Sequence, residues 1–262
     1  MNLQDKVVLV TGGSSGIGEK ICLAAAKKGA TVIVCARRIQ LVGQVKNTCS
    51  ELAGKPCYGY QLDIANPESV DSLLAKVAEE VGQVDILVNC AGFGLFENFI
   101  EMDYQTIEKM FAVNVLGLMY LTQAIGLTMA KEGHGQIINI ASQAGKMATP
   151  KSAVYSATKF AVLGFSNGLR LELKPYNVQV MTVNPGPIAT DFFQKADPSG
   201  NYLAQVDWLV LEPEKLANKI VANFGTHRRE INAPWFMEGA SRFYTLFPHL
   251  GDYLAGTLFN QK

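Results

Sequence analysis

Short β-branched runs alternate with longer stretches of helical periodicity along most of this chain. The first run, KVVLVT at 6–11, has no polar alternation, as expected of a strand buried on both faces. Further strands are predicted at 30–36 (ATVIVCA), 57–62, 84–89 (VDILVN), 136–141 (QIINIA), 178–184 (VQVMTVN) and 230–233. Between them the spacing predicts helices over 19–28, 39–53, 67–81, 104–131, 153–174 and 213–224, with Pro67 suited to a first turn. Strands alternating with helices of this length predict an α/β fold: a doubly wound parallel sheet with helices on both faces. No repeat or linker interrupts the 262 residues, so a single domain over 1–262 is expected.

Three stretches depart from that rhythm. Residues 110–130 are free of charge and long enough to cross a bilayer. Asn114, Thr122, Gln123 and Thr128 interrupt them, so a helix buried in the core or in a subunit interface is expected, and no transmembrane segment. Residues 187–212 have little regular pattern and are expected to form a substrate lid. The tail, 235–262, is aromatic and is divided by Pro248 into two amphipathic pieces. Covering the substrate pocket, meeting another subunit and resting on a membrane surface all remain open for it.

Composition removes several function classes. Lys+Arg and Asp+Glu balance at 23 each, so no basic field recruits nucleic acid. The five cysteines include no C-x-x-C and the three histidines no metal spacing. No metal is expected, and a reducing, cytoplasmic setting is. The start of the chain does not read as a signal peptide, because its apolar run is short and ends in glycines.

The candidate chemistry lies at 142–159. Tyr155 and Lys159 are four residues apart and share one face of a helix. A free phenol titrates near ~10, and a neighbouring ammonium lowers that value, so the hydroxyl can exchange a proton with a substrate oxygen. Ser142, at a strand end, is placed to hydrogen-bond the same oxygen. Upstream, Gly12, Gly16 and Gly18 occupy a strand-to-helix turn, where glycines let backbone approach a pyrophosphate. Their spacing, G-x-x-x-G-x-G, is not the more usual G-x-G-x-x-G.

TGGSSGIG after the first strand, Asn89-Cys90-Ala91-Gly92 after the fourth, Asn114, Ser142, Y-S-A-T-K and Pro185-Gly186 together resemble the short-chain dehydrogenase/reductase family, from about residue 5 to 190. The resemblance implies a Rossmann-type fold and a homodimer or homotetramer. It implies Tyr155 as general acid/base, Lys159 as the group that tunes it and holds the nicotinamide ribose, and Ser142 as the residue positioning the substrate carbonyl. It further implies that Asn114 bends its helix to seat a relay water. Gly12, Ser14, Ser15, Gly16, Ile17, Gly18, Asp63, Asn89, Ala91, Gly92, Pro185, Gly186, Ile188 and Thr190 would belong to the cofactor site, Asp63 meeting the adenine and Asn89 bracing the central strand. Cys90 departs from the family's usual N-N-A-G. Phe93 and Phe192 are expected beside the substrate, together with Ser142 and Tyr155.

The second strand ends Cys35-Ala36-Arg37-Arg38, with no carboxylate to repel a 2′-phosphate and two guanidiniums to meet one. NADP(H) is therefore expected, with Arg37 foremost in the contact and Arg38 beside it. The leading reading is a hydride transfer between NADP(H) and a carbonyl or secondary alcohol on a small, possibly apolar substrate. A 3-oxoacyl-thioester reductase, a non-catalytic NADP-binding redox sensor and a sugar-nucleotide epimerase are the rivals.

Overall fold

A computed structural model describes residues 3–197 and 209–258, with side chains to 254. Seven parallel strands form one sheet: β1 (Val7–Thr11), β2 (Thr31–Ala36), β3 (Tyr58–Gln61), β4 (Ile86–Asn89), β5 (Gly135–Ile140), β6 (Val178–Pro185) and β7 (Glu230–Ala233). Their order across the sheet is β3-β2-β1-β4-β5-β6-β7. The apolar runs explain the parallel pairing. Val8, Val10, Val32, Val34, Val88 and Ile138 are wholly buried on one face, Leu9, Ile33, Leu87 and Ile137 on the other. The register sets like against like, with Val8 beside Val32 and Ile86, and Ile138 beside Val88 and Met181.

Helices α1 (Gly16–Ala26), α2 (Ile39–Ala53), α3 (Pro67–Glu80), α4 (Tyr104–Phe111), α5 (Leu118–Glu132), α6 (Ala153–Leu173), α7 (Phe192–Ala196) and α8 (Pro213–Ala222) follow in chain order. The first face is covered by α1, α2 and α8, whose Ile21, Val42 and Ile220 join its core. The second is covered by α3 and α5 through Val70, Leu73, Leu121 and Met129. Each such fully buried side chain contributes about 1.5–3 kcal/mol.

Two elements differ from the pattern-based expectation. Helix α1 begins at Gly16, inside the glycine turn, rather than at Glu19, because three of its first positions carry no periodic signal. The helix expected over 104–131 is instead α4, a π-helical turn at Ala112–Gly117, and α5. By length and composition Tyr104–Glu132 is apolar enough to cross a membrane. Half of its most apolar window is buried inside the fold, however, with Leu121, Ile125 and Met129 under the sheet.

The lid expected over 187–212 is described at its two ends. Ile188 and Leu211 pair as a short parallel bridge, and α7 lies between Ile188 and the residues outside the described set, which include Tyr202, Leu203 and Trp208. The tail forms two helices split at Pro248, α9 (Met237–Leu246) and α10 (Pro248–Leu258), as the pattern predicts.

Candidate active site

The chain adds strands outward from β1 to β3, then restarts at β4 on the other side of β1. Beyond the carboxyl ends of β1 and β4 this reversal opens a crevice. The glycine turn lines it. Gly12 has φ 68°, and a Cβ there would come within 2.9 Å of Ala91. A Cβ on Gly18 would collide with the Gly12 carbonyl, so α1 could not start this close to β1 with any larger residue. The amino end of α1 consequently faces the crevice, an arrangement that suits an anionic ligand group. Thr11 Oγ1 accepts from the backbone N–H groups of Cys90 and Ala91, both at 3.0 Å, and so fixes the opposite wall.

This first lobe is lined by Gly12, Ser14, Ser15, Gly16, Ile17, Gly18, Arg37, Arg38, Asp63, Ala91, Gly92 and Thr190. Its cavity volume is about 300 Å³. Arg38, rather than Arg37, reaches across it: Nη2 donates to Ser15 Oγ at 2.6 Å and to Ser14 Oγ at 3.3 Å. Both arginines are exposed and line this lobe, and the Arg37 carbonyl accepts from Gln61 Nε2. Asp63 is also exposed, and its Oδ1 accepts from Ala65 N at 3.1 Å, shaping the turn into α3. Asn89 lies behind the wall rather than on it. Its Nδ2 donates to Thr122 Oγ1 (2.8 Å) and Asn139 Oδ1 (2.9 Å), bracing β4 against α5 and β5.

Pro185, Gly186 and Ile188 line a second, adjoining lobe of about 160 Å³, which shares Ile17, Cys90, Gly92, Phe93, Thr190 and Phe192 with the first. The four expected catalytic residues lie in or beside it. Ser142, Tyr155 and Lys159 are on its wall. Lys159 is buried, and its Nζ donates to the Ile140 carbonyl at 2.9 Å and lies 5.8 Å from the centre of the Tyr155 ring. Burial holds its ammonium down at about 8. Ser142 Oγ accepts from Ala144 N at 3.0 Å and donates to Pro185 O at 3.4 Å, a long bond that a better acceptor would displace.

Asn114 stands within the π-helical turn and is almost completely buried. Its Oδ1 accepts from Phe93 N (3.0 Å), while Nδ2 donates to Phe93 O (2.8 Å) and Thr158 Oγ1 (3.1 Å). One side chain thus ties the loop after β4 to the helix that carries Tyr155. Such a turn inside an α-helix is a recurrent mark of a functional site. Cys90, the departure from N-N-A-G, is pushed up to about 12 by burial, with the Lys159 charge acting in the opposite direction.

Phe93 and Phe192, expected beside the substrate, line both lobes where they meet. Phe192 packs at 5.7 Å against Tyr155, and Phe96 meets Tyr155 edge-on at 5.9 Å. The N–H of Phe96 donates to Ala196 O at 2.7 Å, which docks α7 over the phenol. The same lobe includes Gln143, Met147, Leu209 and Met237. Met147 is legible as an apolar residue near Ser142. Met237, at the start of α9, brings the tail to this lobe, one of the placements its sequence left open.

The family model for short chain dehydrogenases matches residues 6–200. The chain belongs to the short-chain dehydrogenase/reductase family. It is therefore an oxidoreductase of a family that binds nicotinamide cofactors and acts on small molecules. It is 33% identical over 221 residues to 3-ketodihydrosphingosine reductase of Bos taurus, covering 82% of this chain and 67% of that one. It is 32% identical over 195 residues to an NAD-dependent glycerol dehydrogenase of Listeria innocua, covering 74% and 75%. Among solved structures, an alcohol dehydrogenase from the archaeon Thermococcus sibiricus complexed with 5-hydroxy-NADP superposes with a TM-score of 0.78. That pair is 26% identical, with 87% of this chain and 95% of the other covered. The glycine turn, the anion-facing start of α1 and the two arginines fit the dinucleotide that the family uses.

Proposed function

We propose that this protein is an NADP(H)-dependent oxidoreductase that moves a hydride between the nicotinamide and a carbonyl or secondary alcohol carbon, with Tyr155 as general acid/base. The observation that carries this reading is the meeting of Tyr155, Lys159 and Ser142 on one wall of a crevice whose other lobe carries Arg37 and Arg38. Asp63, Ala91, Gly92, Ile188 and Thr190 complete the proposed cofactor site.

When bound, the nicotinamide supplies or accepts the hydride. In the reductive direction the Tyr155 hydroxyl gives its proton to the carbonyl oxygen as the carbon is reduced. The Lys159 ammonium beside it favours the resulting phenolate. Ser142 exchanges its long bond to Pro185 for one to the substrate oxygen, holding it toward Tyr155. Asn114 acts by position: its amide is spent on Phe93 and Thr158, so it keeps the helix open at the π-helical turn beside the site. Oxidation of an alcohol reverses each step.

The five free cysteines suit a reducing, cytoplasmic setting. Leu116 of the π-helical turn, Leu127 of α5, and Phe160 and Leu171 of α6 are exposed, which suits a homodimer or homotetramer. The decisive test is Tyr155→Phe, which removes one hydroxyl. NADPH affinity is expected to stay within about threefold while turnover of carbonyl substrates falls on the order of 10² or more. Undiminished turnover would exclude Tyr155 as the acid/base.

A further inference from the structure

Among the described residues, the wall of the second lobe carries one charged side chain, Lys159, and that ammonium is bonded to the Ile140 carbonyl. Another cation, Lys146, sits beside Met147 on the loop leaving β5. Its Nζ is held by Glu230 of β7, at 3.0 Å, and by Glu238 of α9. Arg242 is bound in turn to Glu238 at 2.9 Å. Lys146 and Arg242 are matched by these carboxylates, so they offer little to a carboxylate or phosphate on a substrate. The rest of the wall is largely apolar, with Met147 and Met237 added to the aromatic cluster around Tyr155. Unbranched thioethers adapt to flexible apolar chains better than rigid side chains do. Past Met237 the apolar surface continues outward through Phe236 and Trp235, which are 41% and 80% exposed.

We propose that this lobe takes an uncharged carbonyl substrate bearing an unbranched hydrocarbon arm, and that the arm runs past Met147 and Met237 toward the start of α9. The proposal rests on the carbonyl-reductase reading and deepens it by naming the substrate class and the subsite. Met237 is a specificity residue in it, and the Lys146–Glu238 contact keeps α9 in place to supply that side chain.

The test separates binding from turnover. Methyl ketones of four to nine carbons are titrated into protein saturated with NADP+, or with NAD+ if that binds instead, since ketone and oxidised cofactor cannot react. Affinity is expected to rise roughly fourfold for each methylene that enters the subsite. A keto acid of equal length, with its carboxylate at the far end, is expected to bind at least about tenfold more weakly than the ketone. Met237→Leu is expected to keep the chain-length slope, and Met237→Gln, of similar length, to flatten it. A flat slope in the unaltered protein, a keto acid bound as tightly as the ketone, or a Gln variant with the original slope would each overturn the proposal. The same ketones are then offered with NADPH or NADH. A steep binding slope without reduction would leave the subsite standing and sink the hydride-transfer reading instead.

Discussion

Removing the Arg38 side chain tests the proposed preference for NADPH over NADH. The guanidinium spans the first lobe, 2.6 Å from Ser15 Oγ and 3.3 Å from Ser14 Oγ, at the end of β2 where a 2′-phosphate would meet it. A charge-assisted hydrogen bond of this kind contributes about 1.5–3 kcal/mol, or roughly 10- to 150-fold in affinity. Arg38→Ala is expected to weaken NADPH by that factor and NADH by less than about threefold. Both arginines are exposed, but the bonds to Ser14 and Ser15 hold Arg38 over the lobe, so Arg37→Ala is expected to cost less, nearer the lower end. The two are neighbours, so the double variant should lose less than the sum of the single losses. Adding Ala36→Asp, which supplies an acceptor for a bare ribose, is expected to invert the preference. The assay is a fluorescence titration of each reduced cofactor at about 0.1 M and 1 M salt. Screening shortens from about 10 Å to 3 Å over that range, so the wild-type NADPH advantage should narrow. A double arginine variant that kept the original NADPH/NADH ratio, or a wild type that favoured NADH, would refute the reasoning.

Two further expectations concern protonation and assembly. Burial places the Lys159 pKa at about 8 in the free protein, so at pH 8.5 part of the population is neutral there. An anionic cofactor alongside favours the ammonium, so binding should take up protons at pH 8.5 and almost none at pH 6.5, where Lys159 is already charged. Calorimetry in buffers of unlike ionisation enthalpy measures this, and net proton release at pH 8.5 would contradict it. Light scattering at micromolar concentration is expected to give a dimer or tetramer, because the π-helical turn, α5 and α6 expose Leu116, Leu127 and Leu171 by more than half. A monomer there would remove the assembly from the reading.

Local chemistry was the most legible part of this chain. β-Branched runs located β1, β2, β4, β5 and β6, whereas β3 (YGYQ) and β7 (EINA) carry little of that signal, and four-residue spacing put Tyr155 and Lys159 on one helical face. Both signals are short-range, so one sequence carries them. The π-helical turn at Ala112–Gly117 was not readable, because a charge-free apolar run keeps helical periodicity whether or not one turn widens. The resemblance to the family pointed to a bend at Asn114, but the bonds to Phe93 and Thr158 appear only in three dimensions. Arg37 and Arg38 were found together, yet their order along the chain does not say which one bonds Ser14 and Ser15. Coverage of the pocket by the tail was one of three open readings, and that Met237 is the side chain reaching the second lobe, 95 residues beyond Ser142 in sequence, is visible only in the fold.

The Lys146 clamp also bears on the order in which the protein is made. Its carboxylate partners lie 84 and 92 residues further along the chain, on β7 and α9. The glycine turn, β2 and β4 all leave the ribosome well before either partner, and emerging chains tend to fold from the amino end. The nucleotide-facing half can therefore be shaped while the substrate-facing wall still lacks Met237. A nascent chain stalled before residue 230 would hold a nucleotide cradle with no finished place for a substrate, and losing the last thirty residues would open the site from a distance.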